Sequence, residues 1–172
     1  MGWLGVCLIF VGIALLSNGI AAIIKMDAKS TAFINAVTGL VIVGGNFISL
    51  GKADFANTLA YNNVAAGFLF GFTYLFIAGN YLFKLDLRAF GWYSVCVVVF
   101  ALVSAAVCFN TEGLIPLGCL WLAWAVLWLE GFLELSCGIK ALGKIFPVLS
   151  ILEGIFAAFI PALMMLNGKW PM

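Results

Sequence analysis

Charge and histidine are what this sequence has least of. Only 9% of its 172 residues are charged and 66% are hydrophobic, whereas roughly a quarter of the residues of a soluble domain are charged. It has no histidine, which removes the commonest metal ligand and the usual base of nucleophilic triads. The net charge of +1 offers no basic surface for a nucleic acid. These absences argue against a soluble enzyme, a metal or other cofactor, and a nucleic-acid partner.

The few charged residues are clustered, and they leave six long uncharged stretches. A bilayer core about 30 Å thick needs roughly 20 apolar residues in a helix, and the stretches are too long and unbroken for barrel strands. The sequence therefore predicts an all-α membrane protein with one transmembrane domain over residues 1–172 and the first span retained. The six helices are expected at about 3–24, 31–50, 60–83, 89–109, 115–138 and 146–167.

The short loops predict the orientation in the membrane. Cations favour cytoplasmic loops, and loops 1, 3 and 5 hold six of the eight cations, with the other two on the opposite side. Those three loops should face the cytoplasm, and both termini should face outward. The six are Lys25, Lys29, Lys84, Arg88, Lys140 and Lys144, against Lys52 and Lys169.

The same loops indicate an internal repeat. Lys25-x-Asp27-x-Lys29 recurs as Lys84-x-Asp86-x-Arg88 and, more weakly, as Lys140 with Lys144. A repeated unit of two helices joined by a cationic turn predicts three helical hairpins around a central axis. The alternative is that short cytoplasmic loops simply collect cations.

Three helices carry a continuous apolar face at helical spacing. The alternative to a pore lining is packing between helices or contact with lipid. Tryptophan prefers the membrane interface, where its N–H stays hydrated, yet Trp124 and Trp128 lie deep in helix 5. A partly hydrated lumen would supply a partner for those N–H groups. The three faces are Leu4, Leu8, Val11 and Leu15; Phe68, Phe72 and Phe76; and Trp121, Trp124 and Trp128.

Three glutamates fall within the predicted spans, where an acid is costly and marks a pathway or a polar pairing. Glu130 projects opposite the tryptophan face and is expected to brace another helix or subunit. Glu134 lies near the cytoplasmic end, where it is expected to pair with Lys140 or Lys144.

Glu153 is the pore candidate among the three acids. Pro161 follows it by two turns, lacks a backbone donor and leaves the carbonyl of Ala157 without its usual helical partner. The alternative for Glu153 is a buried structural hydrogen bond.

Several strings, taken together, resemble the bacterial urea and short-chain amide channel family, the AmiS/UreI group. The resemblance covers nearly the whole chain, and it implies three helical hairpins per protomer and a ring of six protomers, each with its own pore. The strings are Val11-Gly-Ile, Ser17-Asn-Gly, Lys29-Ser-Thr, Phe70–Leu75, Trp92-Tyr-Ser, Trp121–Trp128, Glu153-Gly-Ile and Ile160-Pro. The pore lining implied by the resemblance is Leu4, Leu8, Val11, Leu15, Phe72, Phe76, Trp121, Trp124, Leu127, Trp128 and Glu153.

Two departures from the family pattern bear on function. Acid-gated members carry a longer, histidine-bearing outer loop, whereas this chain has only residues 51–61 there and no histidine. Phe76 stands where a tyrosine occurs in the family, so one hydroxyl that could face the permeant is missing.

The sequence thus predicts a passive channel for urea or a closely related small amide, which is not acid-gated. It would be a multi-pass homo-oligomer, surrounded by lipid, in the bacterial inner membrane. The alternative is a proton-coupled small-amide transporter in which Glu130, Glu134 or Glu153 carries the proton. A membrane scaffold that transports nothing is a third class. The sequence shows no nucleophile paired with a base, so an enzyme is not predicted.

Overall fold

Six helices of the described chain are long and apolar enough to cross a membrane, as the sequence predicted. A computed structural model describes residues 2–54, 56–111 and 113–171. Five spans are continuous helices: α1 (Gly2–Ile24), α2 (Ala28–Gly51), α3 (Thr58–Phe83), α4 (Leu87–Phe109) and α5 (Ile115–Leu135). The sixth comprises α6 (Phe146–Glu153), a π-helical segment (Gly154–Phe159) and α7 (Ile160–Leu166), and a short 3-10 turn (Leu142–Lys144) precedes it.

Side-chain caps set where three of the helices begin. The carboxylate of Asp27 accepts the N–H of Ser30, that of Asp86 accepts the N–H of Arg88, and Asn57 caps α3 in the same way. Such caps satisfy N–H groups that have no partner inside the helix. Helices α2, α3 and α4 therefore begin two or three residues earlier than the sequence predicted, and α5 ends at Leu135, three residues earlier than predicted.

The first two cationic turns share one backbone conformation. Lys25 and Lys84 each adopt the left-handed region with φ of 53°, and an aspartate two residues later caps the next helix in both turns. The third turn differs, because its positive φ belongs to Gly138 and the 3-10 turn follows it. The predicted repeat is therefore visible in the geometry of two turns of three.

The chain divides into two compact units: Asp27–Leu85, and Met1–Met26 together with Asp86–Met172. In the smaller unit α2 packs along α3, where the side-chain amide of Asn46 donates to the carbonyl oxygen of Val64 at 2.6 Å. In the larger unit α4 packs along α5, and α1 packs along the whole sixth span. The first two cationic turns lead from one unit to the other, and the arrangement as three hairpins stays a prediction.

Glycines allow the backbone of α1 to approach the backbone of the sixth span closely. A Cβ on Gly12 would lie 2.9 Å from the Cβ of Phe159 and 3.0 Å from the carbonyl oxygen of Gly154. One turn further, the hydroxyl of Ser150 donates to the carbonyl oxygen of Leu15 at 2.8 Å. Small residues of this kind permit close helix contact in membranes, where dispersion and hydrogen bonds take the place of the hydrophobic effect.

Gly12→Ala should destabilise the protein by about 1–3 kcal/mol, because the added methyl group meets Phe159 and the backbone of Gly154. Gly44→Ala in α2 is the matched control, since nothing lies within 4 Å of a Cβ there. A helix gains about 0.5–1 kcal/mol from that replacement. Thermal unfolding in detergent measures both variants, and equal melting temperatures would contradict the close contact.

The pH dependence of stability tests the cap at Asp86. The guanidinium of Arg88 and then its backbone N–H lower the pKa of this carboxyl from 3.8 to about 2. A lowered pKa stabilises the folded state above the ordinary value, and this contribution is lost as the pH falls through the folded pKa. Asp86→Asn should therefore lose less stability than the wild type between about pH 4 and 2. Asp54→Asn is the control, and identical slopes for wild type and Asp86→Asn would disprove the link.

Candidate functional site

The tryptophan face of α5 is buried inside the protein. Trp121, Trp124 and Trp128 are each at least nine-tenths buried. The rings of Trp121 and Trp124 meet edge to face, with centroids 5.1 Å apart, and Trp121 meets Phe100 of α4 in the same way at 5.9 Å. Edge-to-face packing fixes both the position and the tilt of aromatic rings. The deep indoles therefore form an ordered aromatic cluster and do not face lipid.

The indole N–H of Trp124 has a partner within the protein. It donates to the carbonyl oxygen of Ala157 in the π-helical segment, with an Nε1 to oxygen distance of 3.1 Å. The expectation that a hydrated lumen supplies this partner is therefore wrong for Trp124. Pro161 has no N–H to direct at Ala157 with the α-helical spacing of α7, which begins at Ile160. An indole 33 residues away in the sequence supplies a donor instead.

The π-helical segment begins directly after Glu153. The N–H of Ile160 bonds the carbonyl oxygen of Ile155, five residues back, which widens the helix by one residue. Single π turns of this kind occur frequently at functional sites. Glu153 is 6% exposed, and its Oε2 has no hydrogen-bond partner among the described residues. The structure therefore offers an unsatisfied carboxyl oxygen about one turn before the carbonyl that Trp124 caps.

The predicted face of α1 lies beside the same segment. Leu8, Val11 and Leu15 are buried, and Leu4 is half-buried near the start of the helix. A Cβ on Gly154 would lie 3.1 Å from the Cβ of Leu15, so this leucine packs against Gly154, the residue after Glu153. Leu127 of α5 is half-buried. The π-helical segment thus contacts two of the predicted faces, through Leu15 of α1 and Trp124 of α5.

The two predicted phenylalanines belong to the smaller unit. Phe72 stacks on Phe68 with ring centroids 5.6 Å apart, and Phe68 meets Phe47 of α2 edge to face at 5.0 Å. Phe72 is 42% exposed and Phe76 is half-buried. Within this unit, α3 thus presents the accessible ring of Phe72, which stacks on the ring of Phe68.

The two glutamates of α5 lie apart from the tryptophan face. Glu130 is 7% exposed, its Oε1 has no hydrogen-bond partner among the described residues, and its carboxyl group interacts with that of Glu134 one turn later. The carboxyl group of Glu134 lies against Gly143 of the 3-10 turn. The expected ion pair with Lys140 or Lys144 is wrong: in the described ranges the salt bridge that forms is Asp86 with Arg88.

Sequence reasoning missed two partners in this region. Phe100 of α4 holds Trp121, and Ser150 ties the sixth span to α1. The only sequence signal for the Trp124 contact is Pro161, because a proline inside a span implies a carbonyl that needs another donor. For metals, the described portions of the chain contain no group of three or more cysteine, aspartate or glutamate side chains able to hold an ion.

Comparison with known proteins places this arrangement in a family. The profile of the AmiS/UreI family transporters matches residues 3–169. An acid-activated urea channel of Helicobacter pylori is 37% identical over 194 residues, covering 97% of this chain and 99% of that protein. A Mycolicibacterium smegmatis protein described as a transporter of amidate substrates is 33% identical, covering 96% of this chain and 78% of its own.

Solved structures agree with this assignment over the same extent. The cryo-electron microscopy structure of the Helicobacter pylori urea channel in a closed state matches with a TM-score of 0.89 at 36% identity, covering 97% of this chain and 99% of that one. The crystal structure of the urea channel from that bacterium matches with a TM-score of 0.87 at 38% identity and the same coverage. These relatives are channels and transporters, and this chain belongs to the AmiS/UreI family.

Proposed function

We propose that this chain is a passive channel that conducts urea, or a closely related small amide, across the inner membrane of a bacterium. The observation that carries the proposal is the buried tryptophan face of α5, whose Trp124 bonds the π-helical segment directly after Glu153, a residue with one unpaired carboxyl oxygen. Two relatives, named as an acid-activated urea channel and a transporter of amidate substrates, support a small amide-like permeant.

The chemistry of the lining favours a flat, neutral solute. An ion that enters an aromatic and leucine-lined passage loses its hydration shell and finds few groups to replace it, which costs many kcal/mol. A neutral amide loses only about 2–7 kcal/mol per unpaired polar group, and it recovers part of that by stacking on the rings. Flux would therefore run down the concentration gradient of the amide without coupling to ions.

Glu153 is the polar group that we assign to the permeant. A buried oxygen without a partner costs about 1–3 kcal/mol, and an N–H of urea would remove that cost while it passes. The leucine face of α1 and the indoles of Trp124 and Trp128 would form the walls beside it. Phe72 and Phe76 join the proposed lining through the family resemblance.

The assembly and the orientation are part of the same proposal. We expect one channel domain per protomer, a homohexamer in which each protomer has its own pore, and both termini outside the cytoplasm. The cation count of the short loops supports the orientation, since loops 1, 3 and 5 hold six cations against two on the other side.

Replacing Glu153 separates a channel from a proton-coupled transporter. Glu153→Leu should lower urea flux by about twofold to tenfold, because one hydrogen bond contributes about 0.5–1.5 kcal/mol and 1.4 kcal/mol corresponds to a factor of ten. Glu153→Gln keeps an acceptor oxygen and should keep most of the flux. Stopped-flow measurements on proteoliposomes, with and without a proton ionophore, provide the test. A proton carrier would instead lose transport in Glu153→Gln, or Glu130→Gln, and in wild type with ionophore.

Shortening the tryptophan wall should relax size selectivity. Trp128→Ala opens space beside the passage, so the permeability of acetamide and glycerol relative to urea should rise several-fold. Trp92→Ala is the control, because Trp92 lies on α4 and is 62% exposed. The same stopped-flow assay measures the three solutes, and an unchanged ratio in Trp128→Ala would argue against this lining.

We propose that opening does not depend on pH between 7 and 5. The basis is the absence of histidine, the side chain whose unperturbed pKa lies in that range. The named urea-channel relatives are acid-activated, and the 194-residue alignment with one of them exceeds the 172 residues of this chain, so that relative contains inserted residues. Urea flux at pH 7 and pH 5 should agree within about twofold. A sharp rise at pH 5 would show that a carboxyl group gates the channel.

A further inference from the structure

Pro161 and Trp124 are linked through one carbonyl group. The N–H of Ile160 bonds the carbonyl oxygen of Ile155, five residues back, and the α-helix α7 begins at Ile160. With α-helical spacing the N–H of residue 161 would donate to the carbonyl oxygen of residue 157, and proline has no N–H to give. Ala157 and Pro161 are both buried, so water does not readily reach that oxygen. The indole N–H of Trp124 reaches it instead, at 3.1 Å.

This hydrogen bond limits how the ring of Trp124 can turn. An indole has one N–H donor, and with that donor committed to a fixed backbone oxygen, rotation of the ring would break the bond. The edge-to-face contact with Trp121, at an interplanar angle of 83°, then transmits the orientation to the next ring. Trp121 in turn meets Phe100 at 65°. The hydrogen bond at Ala157 and the two ring contacts thus form one connected series from the sixth span to α5 and α4.

We propose that Pro161 is a positioning residue for amide selectivity: by withholding an N–H from Ala157, it reserves that carbonyl for Trp124 and so fixes the orientation of the ring wall. The proposal rests on the channel function proposed above. It assigns to Pro161 a role beyond shaping its own helix, because the group it controls is an indole on another span. Restoring the N–H should release the indole.

Indole NMR signals test the contact without any flux measurement. The protein contains six tryptophans, and Trp124→Phe identifies the Trp124 N–H signal by its disappearance. In Pro161→Ala the new backbone N–H competes for Ala157, so the Trp124 signal should move upfield towards the position of a weaker hydrogen bond. Pro116→Ala is the matched control: this proline lies in the first turn of α5, where a missing N–H leaves no helical bond unmade. A Trp124 signal that stays in place in Pro161→Ala, or moves equally in Pro116→Ala, overturns the proposal.

Selectivity tests the consequence of the contact. Trp124→Phe and Pro161→Ala should each change the permeability ratio of urea to acetamide by about threefold or more, and the double variant should match Trp124→Phe alone, because both changes act on one hydrogen bond. Additive changes would overturn the proposal. If wild type conducts no urea, the proposed function fails, whereas the NMR result still decides whether Pro161 positions Trp124.

A stability cycle covers the case in which one variant folds poorly. Trp124→Phe leaves the Ala157 carbonyl without its side-chain donor and should lower the melting temperature more than Trp92→Phe does. Adding Pro161→Ala to Trp124→Phe should recover part of that loss, because the backbone can then supply the donor. No recovery would overturn the link. If Pro161→Ala alone does not fold, Trp124→Phe must still shift the permeability ratio relative to Trp92→Phe, and an unchanged ratio overturns the proposal.

Discussion

The hydrogen bond from Trp124 to the carbonyl of Ala157 joins two groups of helices in the larger unit, which also meet where α5 packs against the sixth span and the 3-10 turn before it. One group is α4 with α5, held by aromatic contacts and by the Ser136 hydroxyl, which donates to the carbonyl of Arg88. The other is α1 with the sixth span, held by Gly12 and by Ser150. In hydrocarbon each backbone oxygen needs a donor from the protein. The indole of Trp124 in one group supplies the donor that Pro161 in the other group lacks. This hydrogen bond therefore stabilises the contact between the two groups.

Two buried oxygens in the sixth span differ in whether they accept a hydrogen bond. The carbonyl of Ala157 is satisfied by a side chain from α5, whereas Oε2 of Glu153, about one turn earlier, has no partner among the described residues. Buried polar atoms are nearly always paired, and exceptions call for an explanation such as a functional role. In the proposed channel the explanation is the permeant, since urea carries N–H groups and no charge. The π-helical segment begins directly after Glu153 and contains Ala157, so the two oxygens lie about one turn apart at its start.

The spans were predictable because charge and hydrophobicity determine membrane insertion, but the local and long-range contacts were less so. Helix starts were missed by two or three residues because Asp27 and Asp86 act as caps, and a cap depends on backbone angles that hydrophobicity does not report. The freed carbonyl of Ala157 followed from Pro161, yet its donor lies 33 residues away and only the fold reveals it. The depth of Trp124 indicated a special environment for its N–H; the partner proved to be the backbone and not water.

With its donor bonded to Ala157, Trp124 would present ring faces and edges, and no free N–H, to a solute in the proposed channel. Glu153 then stands out as the unsatisfied oxygen of the proposed lining. Such a wall recognises a solute by its shape and by the N–H groups that it can donate. An acceptor-only solute of equal size would enter the same aromatic slot without relieving the unpaired oxygen of Glu153. Discrimination against it would follow from the hydrogen bond to Glu153 that it cannot donate, which leaves the buried carboxyl oxygen unpaired.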